Sequence, residues 1–309
     1  PPPDTSSAAS DVYKRQCRMY ASSLSWVYKL KTRCLTWMRL IKNPVMFLSS
    51  ISLIQTMTNK NSADLFAYQA AQDYLAERVI LITGASRGIG KALALDCARL
   101  GACVILLAKD LKRLEHTYDD IMALDKATPA ILNIDLEIAG ADDYQAIADA
   151  IAEQYGRLDG LVLNAGRVNG LTPLQNIELS AWTKLINLLV HSPYLLTRSC
   201  LPLLKKSSDA SIVFSVDDAQ RAYWGAYGVG KQAQLGLLHI LADELDGDHL
   251  IRVNGVHPGA VRTDLRTHNY PGINPQQFAA ADSIIGPYIY LLGPAGGSMT
   301  KQIIQRNPD

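Results

Sequence analysis

Val79-Ile80-Leu81-Ile82-Thr83 runs without a break into Gly84-Ala85-Ser86-Arg87-Gly88-Ile89-Gly90. The first five residues are β-branched or leucine, which suits a strand buried on both faces. The glycines let the chain turn sharply and let a ligand approach the backbone. The helical pattern of Lys91–Leu100 follows at once, and unpaired N–H groups at a helix N-terminus favour an anion. The spacing is G-x-x-x-G-x-G, which differs from the G-x-G-x-x-G of the general dinucleotide fingerprint. A glycine-rich turn alone is only a tight connection. Between a strand and a helix it predicts a phosphate cradle, with Gly84, Ser86, Arg87, Gly88, Ile89 and Gly90 as cofactor contacts.

Beyond this stretch the same alternation repeats. Apolar runs occupy Val79–Thr83, Cys103–Ala108, Ala130–Ile134, Leu161–Asn164, Ser211–Ser215, Ile251–His257 and, weakly, Gln302–Gln305. Helical patterns with apolar residues three and four apart lie between them, over Lys91–Leu100, Leu111–Leu124, Asp142–Tyr155, Leu179–Leu204 and Gly225–Leu245. Strands that alternate with helices imply right-handed crossovers and a doubly wound parallel sheet, an α/β fold. No linker-like stretch interrupts it, so residues 57–309 are expected to form a single domain.

Composition agrees. Of 309 residues, 48% are apolar and 19% charged, enough to bury a core. The net charge of +1 hides an asymmetry: residues 1–56 carry 8 Lys/Arg against 2 Asp/Glu, and the remainder carries 22 against 27. The acidic main body argues against a nucleic-acid partner. The longest apolar stretch of the N-terminal segment, Val45–Ile54, is broken by serines and is too short to span a bilayer. Three readings of this segment compete: a targeting peptide, a membrane-surface anchor and a non-native extension. Ser10–Gln16 resembles translated adapter read-through, so Met57 is the expected start and residues 1–56 are set aside. Cys97, Cys103 and Cys200 form no CxxC pair, which fits free thiols in a cytoplasmic protein without a membrane partner. No His/Cys cluster has metal-ligand spacing, so no metal is expected.

Tyr227-Gly228-Val229-Gly230-Lys231 begins the helical pattern after the fifth strand. A Y-x-x-x-K recurs by chance; its position gives it weight. The i, i+4 spacing puts phenol and ammonium on one helix face. A tyrosine ordinarily titrates near pH ~10, and a neighbouring ammonium is expected to lower that value toward neutrality. Such a phenol suits proton transfer.

Five motifs in order make the chain resemble the short-chain dehydrogenase/reductase family over roughly residues 76–305: Thr83–Gly90, Asp135-Leu136, Asn164-Ala165-Gly166, Tyr227–Lys231 and Pro258-Gly259. Within that family, Trp224-Gly225-Ala226-Tyr227 and Leu201-Pro202-Leu203-Leu204 are similar to the bacterial YciK-type oxidoreductases. The resemblance implies a seven-stranded Rossmann sheet, a nicotinamide cofactor and a homodimer or homotetramer built on the helices of 179–204 and 225–245. It also implies an oxidoreductase that interconverts a carbonyl and a secondary alcohol by hydride transfer. By the same resemblance, Asp135 binds the adenine amino group beside Leu136, and Asn164-Ala165-Gly166 supports the sheet and lines the ribose. Lys231 holds the nicotinamide ribose, Tyr227 exchanges the proton, and Pro258, Gly259, Val261 and Thr263 meet the carboxamide.

Charge bears on the cofactor. A site for NAD(H) needs a carboxylate at the end of the second strand. Ala108 and Lys109 stand there, and Arg87 lies nearby, which favours the 2′-phosphate of NADP(H). Asp110 is the opposing feature, because it could turn inward or neutralise Lys109.

Two family residues are displaced. The family serine that polarises the substrate carbonyl lies about thirteen residues before the tyrosine. Counting back reaches Phe214 and Ser215, whereas counting forward from the strand reaches Asp217, so the connection is shortened. Ser215 is the expected donor; an ionised Asp217 would instead raise the Tyr227 pKa. The family asparagine, whose main-chain carbonyl carries a water relay at a helix distortion, aligns with Leu189. Pro193, four residues on, removes the helical bond to the Leu189 carbonyl, so the distortion is expected to persist. His191 points elsewhere along that helix. His257–Ala279, rich in Pro, Gly, Asn and Thr, reads as a flap over substrate, with Tyr223, Trp224 and Tyr270 as aromatic walls. A non-enzymatic cofactor sensor or assembly protein of the same fold is the rival reading.

Overall fold

The structure, a computed structural model, describes residues 62–247 and 251–306. The segment 1–56 and the expected start at Met57 lie outside the described residues. Strands β1 (Val79–Thr83), β2 (Cys103–Ala108), β3 (Ala130–Asn133), β4 (Gly160–Leu163), β5 (Ser211–Ser215), β6 (Arg252–His257) and β7 (Ile303–Gln305) form one sheet. Their order is β3-β2-β1-β4-β5-β6-β7, and every pairing is parallel. All seven predicted strands are present within one or two residues of their expected bounds.

Among the described residues, nine α-helices flank the sheet: α1 (Ser62–Phe66), α2 (Gly88–Arg99), α3 (Leu111–Met122), α4 (Ala141–Tyr155), α5 (Leu179–Ile186), α6 (Ser192–Leu204), α7 (Gly225–Glu244), α8 (Asp264–Asn269) and α9 (Gly286–Leu292). Side chains alternate across the pleat, so β1 feeds two cores. Leu81, with Ile105, Leu161 and Phe214, packs against Tyr144, Ile147 and Ile151 of α4 and against Leu196 and Leu238. Ile80 and Ile82, with Leu106, Val162 and Val213, pack against Leu93 and Cys97 of α2, Leu114 of α3 and Tyr288 and Leu292 of α9. The central strands are therefore apolar throughout. The edge strand β3 is only partly buried, and β7 buries Ile304 alone.

The chain reverses direction across the sheet between β1 and β4. Ligands of open α/β sheets bind at such a switch point, outside the carboxyl ends of the strands. Register aligns those ends: Thr83 pairs with Leu107, Leu163 with Phe214 and Ser215 with Val256. The long predicted helix over Leu179–Leu204 is broken into α5, a π-helical turn at Asn187–His191, and α6. Among the described residues, no helix is long and apolar enough to cross a membrane, and no group of side chains could hold a metal ion.

Candidate active site

The cleft at the switch point begins with the turn after β1. Gly84 has φ +70°, and a Cβ there would lie 3.0 Å from the Ala165 Cα. At Gly90, inside α2, a Cβ would come within 2.2 Å of the Gly84 carbonyl oxygen, so only glycine lets α2 pack on this turn. Thr83 ties the turn to its neighbour, because its Oγ1 accepts the N–H groups of Asn164 (2.9 Å) and Ala165 (3.0 Å). Asn164 Nδ2 in turn donates to the Thr83 carbonyl at 3.1 Å. Arg87 occupies the N-cap of α2 without a capping side chain, so the first N–H groups of that helix meet the cleft without one. Ser86, Gly88, Ile89 and Gly166 line the same space. These features suit a pyrophosphate.

Next to the cradle, Asp110 is the N-cap of α3, where its Oδ1 accepts the Arg113 N–H at 3.1 Å. It does not turn inward. Lys109 reaches Glu137 at 3.0 Å and stands 3.8 Å from Asp135. Asp135 Oδ1 accepts the Glu137 N–H at 3.0 Å, and Leu136 is buried beside it. Arg167 grips both carboxylate oxygens of Glu137. Burial pushes the Glu137 carboxyl up, but Arg167 and Lys109 outweigh it and hold the group below its ordinary value. Arg87 and Arg113 both pair with Asp264, at 3.1 and 3.0 Å, on exposed surface. Glu137, Arg167, Arg113 and Asp264 were not singled out from sequence. Glu137, Arg167 and Asp264 directly follow residues that were singled out, Leu136, Gly166 and Thr263, which was the available signal.

The opposite half of the cleft departs from expectation. Ser215 does not meet the Tyr227 phenol. Its hydroxyl lies 3.0 Å from Asn164 Oδ1, to which it donates, and 2.9 Å from the Tyr288 hydroxyl. Asp217 takes the place beside the phenol, and Tyr227 donates to its Oδ2 at 2.7 Å. The reason is the pleat together with the short connection. Ser215 ends β5 with its side chain toward α9, and Asp217, two residues on, is free of the strand. Asp217 Oδ1 also lies 3.5 Å from His257 Nε2, which accepts the N–H of Asp218 at 3.0 Å.

Lys231 is buried one helical turn beyond Tyr227. Its ammonium donates to the Ser215 carbonyl (2.7 Å) and to Gln234 (3.1 Å), and lies 5.7 Å from the Tyr227 ring centre. Burial lowers the Lys231 pKa to about 8, against a smaller upward pull from Asp217. The expected lowering of the Tyr227 pKa is not found. Burial and the adjacent Asp217 charge push the phenol well above 10, because the carboxylate is in direct contact and the ammonium is turned toward other acceptors. Burial also acts upward on Asp217, but His257, Tyr227 and Lys231 prevail and keep its carboxyl below the usual value.

Leu189 lies in the π-helical turn, where the Ser192 N–H reaches back to the Asn187 carbonyl. Pro193 has no N–H, so the Leu189 carbonyl receives no α-helical bond from it. The Leu189 side chain fills the space left by two glycines: a Cβ on Gly230 would touch it at 2.6 Å, and one on Gly166 at 3.6 Å. His191 is exposed. Over the cleft, Val261 bridges to Ala279, closing the neck of a loop that contains α8. Pro258, Gly259, Val261 and Thr263 line the cleft, with Thr263 as the N-cap of α8. Trp224 and Tyr270 form aromatic walls, whereas Tyr223 is 57% exposed and lies outside the lining.

Comparison with known proteins agrees with this geometry. The short chain dehydrogenase family profile matches residues 78–273. The oxidoreductase YciK of Escherichia coli (strain K12) is 36% identical over 244 residues, covering 78% of this chain and 96% of its own. A short chain dehydrogenase structure from Pseudomonas syringae is 40% identical with a TM-score of 0.75, covering 77% of this chain and 98% of that one. Another, from Escherichia coli CFT073 and complexed with NADPH, is 35% identical with a TM-score of 0.74, covering 77% of this chain and all of the other. The glycine cradle, the Tyr227–Lys231 pair and these matches together make the chain a member of the short-chain dehydrogenase/reductase family, NAD(P)-dependent oxidoreductases acting on the CH–OH/C=O couple.

Proposed function

We propose that the chain is an NADP(H)-dependent oxidoreductase that interconverts a carbonyl and a secondary alcohol, with Tyr227 as the group that exchanges the proton. The observation that carries this reading is a buried phenol on the cleft wall, one helical turn from Lys231 and in the same cleft as the glycine cradle. The residues present fit a dinucleotide: the α2 N-terminus lacks a side-chain cap, Gly84 and Gly88 hold positive φ, and a Cβ on Gly90 would strike the Gly84 carbonyl. A bound nicotinamide supplies or accepts the hydride. The protein's own contribution is positional and electrostatic. Asn164 braces the cradle, Lys231 and its partners fix one end of the ribose site, and Tyr227 presents its hydroxyl to the substrate oxygen. Preference for NADP(H) over NAD(H) is supported by the absence of an inward carboxylate at the end of β2. Asp110 caps α3, and Arg87 is held only by an exposed ion pair, which is worth little and yields to a phosphate. The NADPH complex of the Escherichia coli CFT073 relative points the same way. Exposed Tyr194 on α6 and Val229 and Ile240 on α7 support assembly into a homodimer or homotetramer through these helices.

A specific observation favours a second reading, a cofactor-binding sensor. The Tyr227 proton is directed at Asp217, and Leu189 replaces a polar residue of the family pattern. Tyr227→Phe separates the two. An enzyme loses turnover in an NADPH carbonyl screen by about 10²-fold or more, while calorimetry finds NADPH affinity within a few-fold of wild type. Unchanged turnover would refute the catalytic role of Tyr227.

A further inference from the structure

We propose that this site selects a substrate with a protonated nitrogen on the carbon next to the reacting carbonyl or carbinol, and that Asp217 is the residue that pairs with it. This rests on the oxidoreductase reading above and narrows its substrate class.

Asp217 stands at the point of proton exchange, in hydrogen-bond contact with the Tyr227 hydroxyl. Its other oxygen faces His257, whose Nε2 accepts the Asp218 N–H. The neighbouring cations are otherwise engaged. Lys231 donates to Ser215 and Gln234, and the Arg266 guanidinium carbon lies over the rings of Tyr270 and Phe278, 4.1 and 4.8 Å from their centres. Among the described residues, no Lys or Arg side chain forms an ion pair with Asp217. Its side chain is 36% exposed and lines the cleft.

A carboxylate there opposes negative charge developing on a carbonyl oxygen beside Tyr227, so a neutral ketone is poorly served. An ammonium on the adjacent carbon reverses the sign. It makes a charge-assisted hydrogen bond to Asp217, and it offsets the charge developing on its own carbonyl oxygen. The aromatic wall is a second, independent feature. The rings of Trp224 and Tyr227 lie 5.4 Å apart on the cleft wall, and aromatic faces, the indole's above all, attract a cation. In the reducing direction the carbonyl carbon gains a hydride from NADPH, its oxygen gains one proton through the Tyr227 hydroxyl, NADP⁺ is released, and the ammonium is unchanged.

The test uses the full chain with NADPH and a matched pair of ketones, 1-aminopropan-2-one and butan-2-one. Wild type is expected to favour the aminoketone at least 10-fold in kcat/KM at pH 7. Asp217→Asn and Asp217→Ser, verified as folded by thermal melting, should bring that ratio near one, chiefly through the KM of the aminoketone. A wild-type ratio of one or less, or a preference that survives Asp217→Asn, overturns the proposal. Binding of 1-aminopropan-2-ol and butan-2-ol to the protein–NADPH complex, measured by calorimetry, reads the same preference without chemistry. Preferential binding of the amino alcohol without turnover of either ketone removes the oxidoreductase reading and leaves the cation site standing. Equal binding, or binding of neither, overturns the cation site itself.

Discussion

The two halves of the cleft have kept the family pattern to different degrees. Around β1 and β4, the glycines, Thr83 and Asn164-Ala165-Gly166 interlock through backbone groups bonded to the short side chains of Thr83 and Asn164. After β5 and around the π-helical turn, Asp217 meets the phenol and Leu189 packs against Gly230. A cofactor cradle made of N–H groups and close approaches tolerates few substitutions, because each glycine is excluded from change by space or by φ. A reacting half made of side-chain charges can change its chemistry by altering one carboxylate while the scaffold stays intact.

The contrast can be broken at its most rigid point. Gly90→Ala forces a Cβ against the Gly84 carbonyl, and backbone must move. NADPH affinity is expected to fall by more than ~10³-fold, with a loss of stability of about 1–3 kcal/mol in denaturant titration. Retained affinity would show that the cradle is softer than its packing implies.

Lys231 sharpens the comparison from the other side. Its folded pKa, about 8, lies below its ordinary value of 10.5, so the unfolded chain binds more protons between those two pH values. Charged and buried below pH 8, the ammonium costs the fold on the order of 3 kcal/mol relative to high pH. That cost is relieved as pH rises from about 8 toward 10.5. The melting temperature of the cofactor-free wild type should therefore rise relative to Lys231→Met over this window. A difference that is flat with pH would mean that Asp217 compensates the charge fully.

The smallest effect is expected at Arg87. Replacing it with alanine should weaken NADPH about 10-fold while leaving NADH nearly unchanged, as read by fluorescence titration, since one exposed cation contributes about 1.4 kcal/mol to phosphate recognition. Equal losses for both cofactors would assign Arg87 to the pyrophosphate and leave the 2′ position to other cations.

Much of this was legible in the sequence. Continuous Val/Ile/Leu runs mark strands buried on both faces, and each predicted run became a strand of the sheet. Pro193 announced the helix distortion, since a missing N–H is a local, covalent property. The cradle was legible for the same reason, because glycine spacing directly encodes backbone geometry. Ser215 was not. Which of two nearby side chains meets a phenol depends on where the pleat points the last strand residue and on how far the next turn carries the chain. The phenol's pKa was misjudged on similar grounds, because spacing places Lys231 near Tyr227 but does not say which acceptors claim its protons.

The sequence by itself determined the fold class, the cradle and the Tyr227–Lys231 pair, because periodicity, glycine spacing and a one-turn separation act along the chain. Tertiary structure alone decided that Asp217 faces Tyr227 and that Lys231 turns to the Ser215 carbonyl. Those outcomes depend on how the end of β5 and the turn after it sit against α7, and electrostatic interaction varies with such distances and with burial.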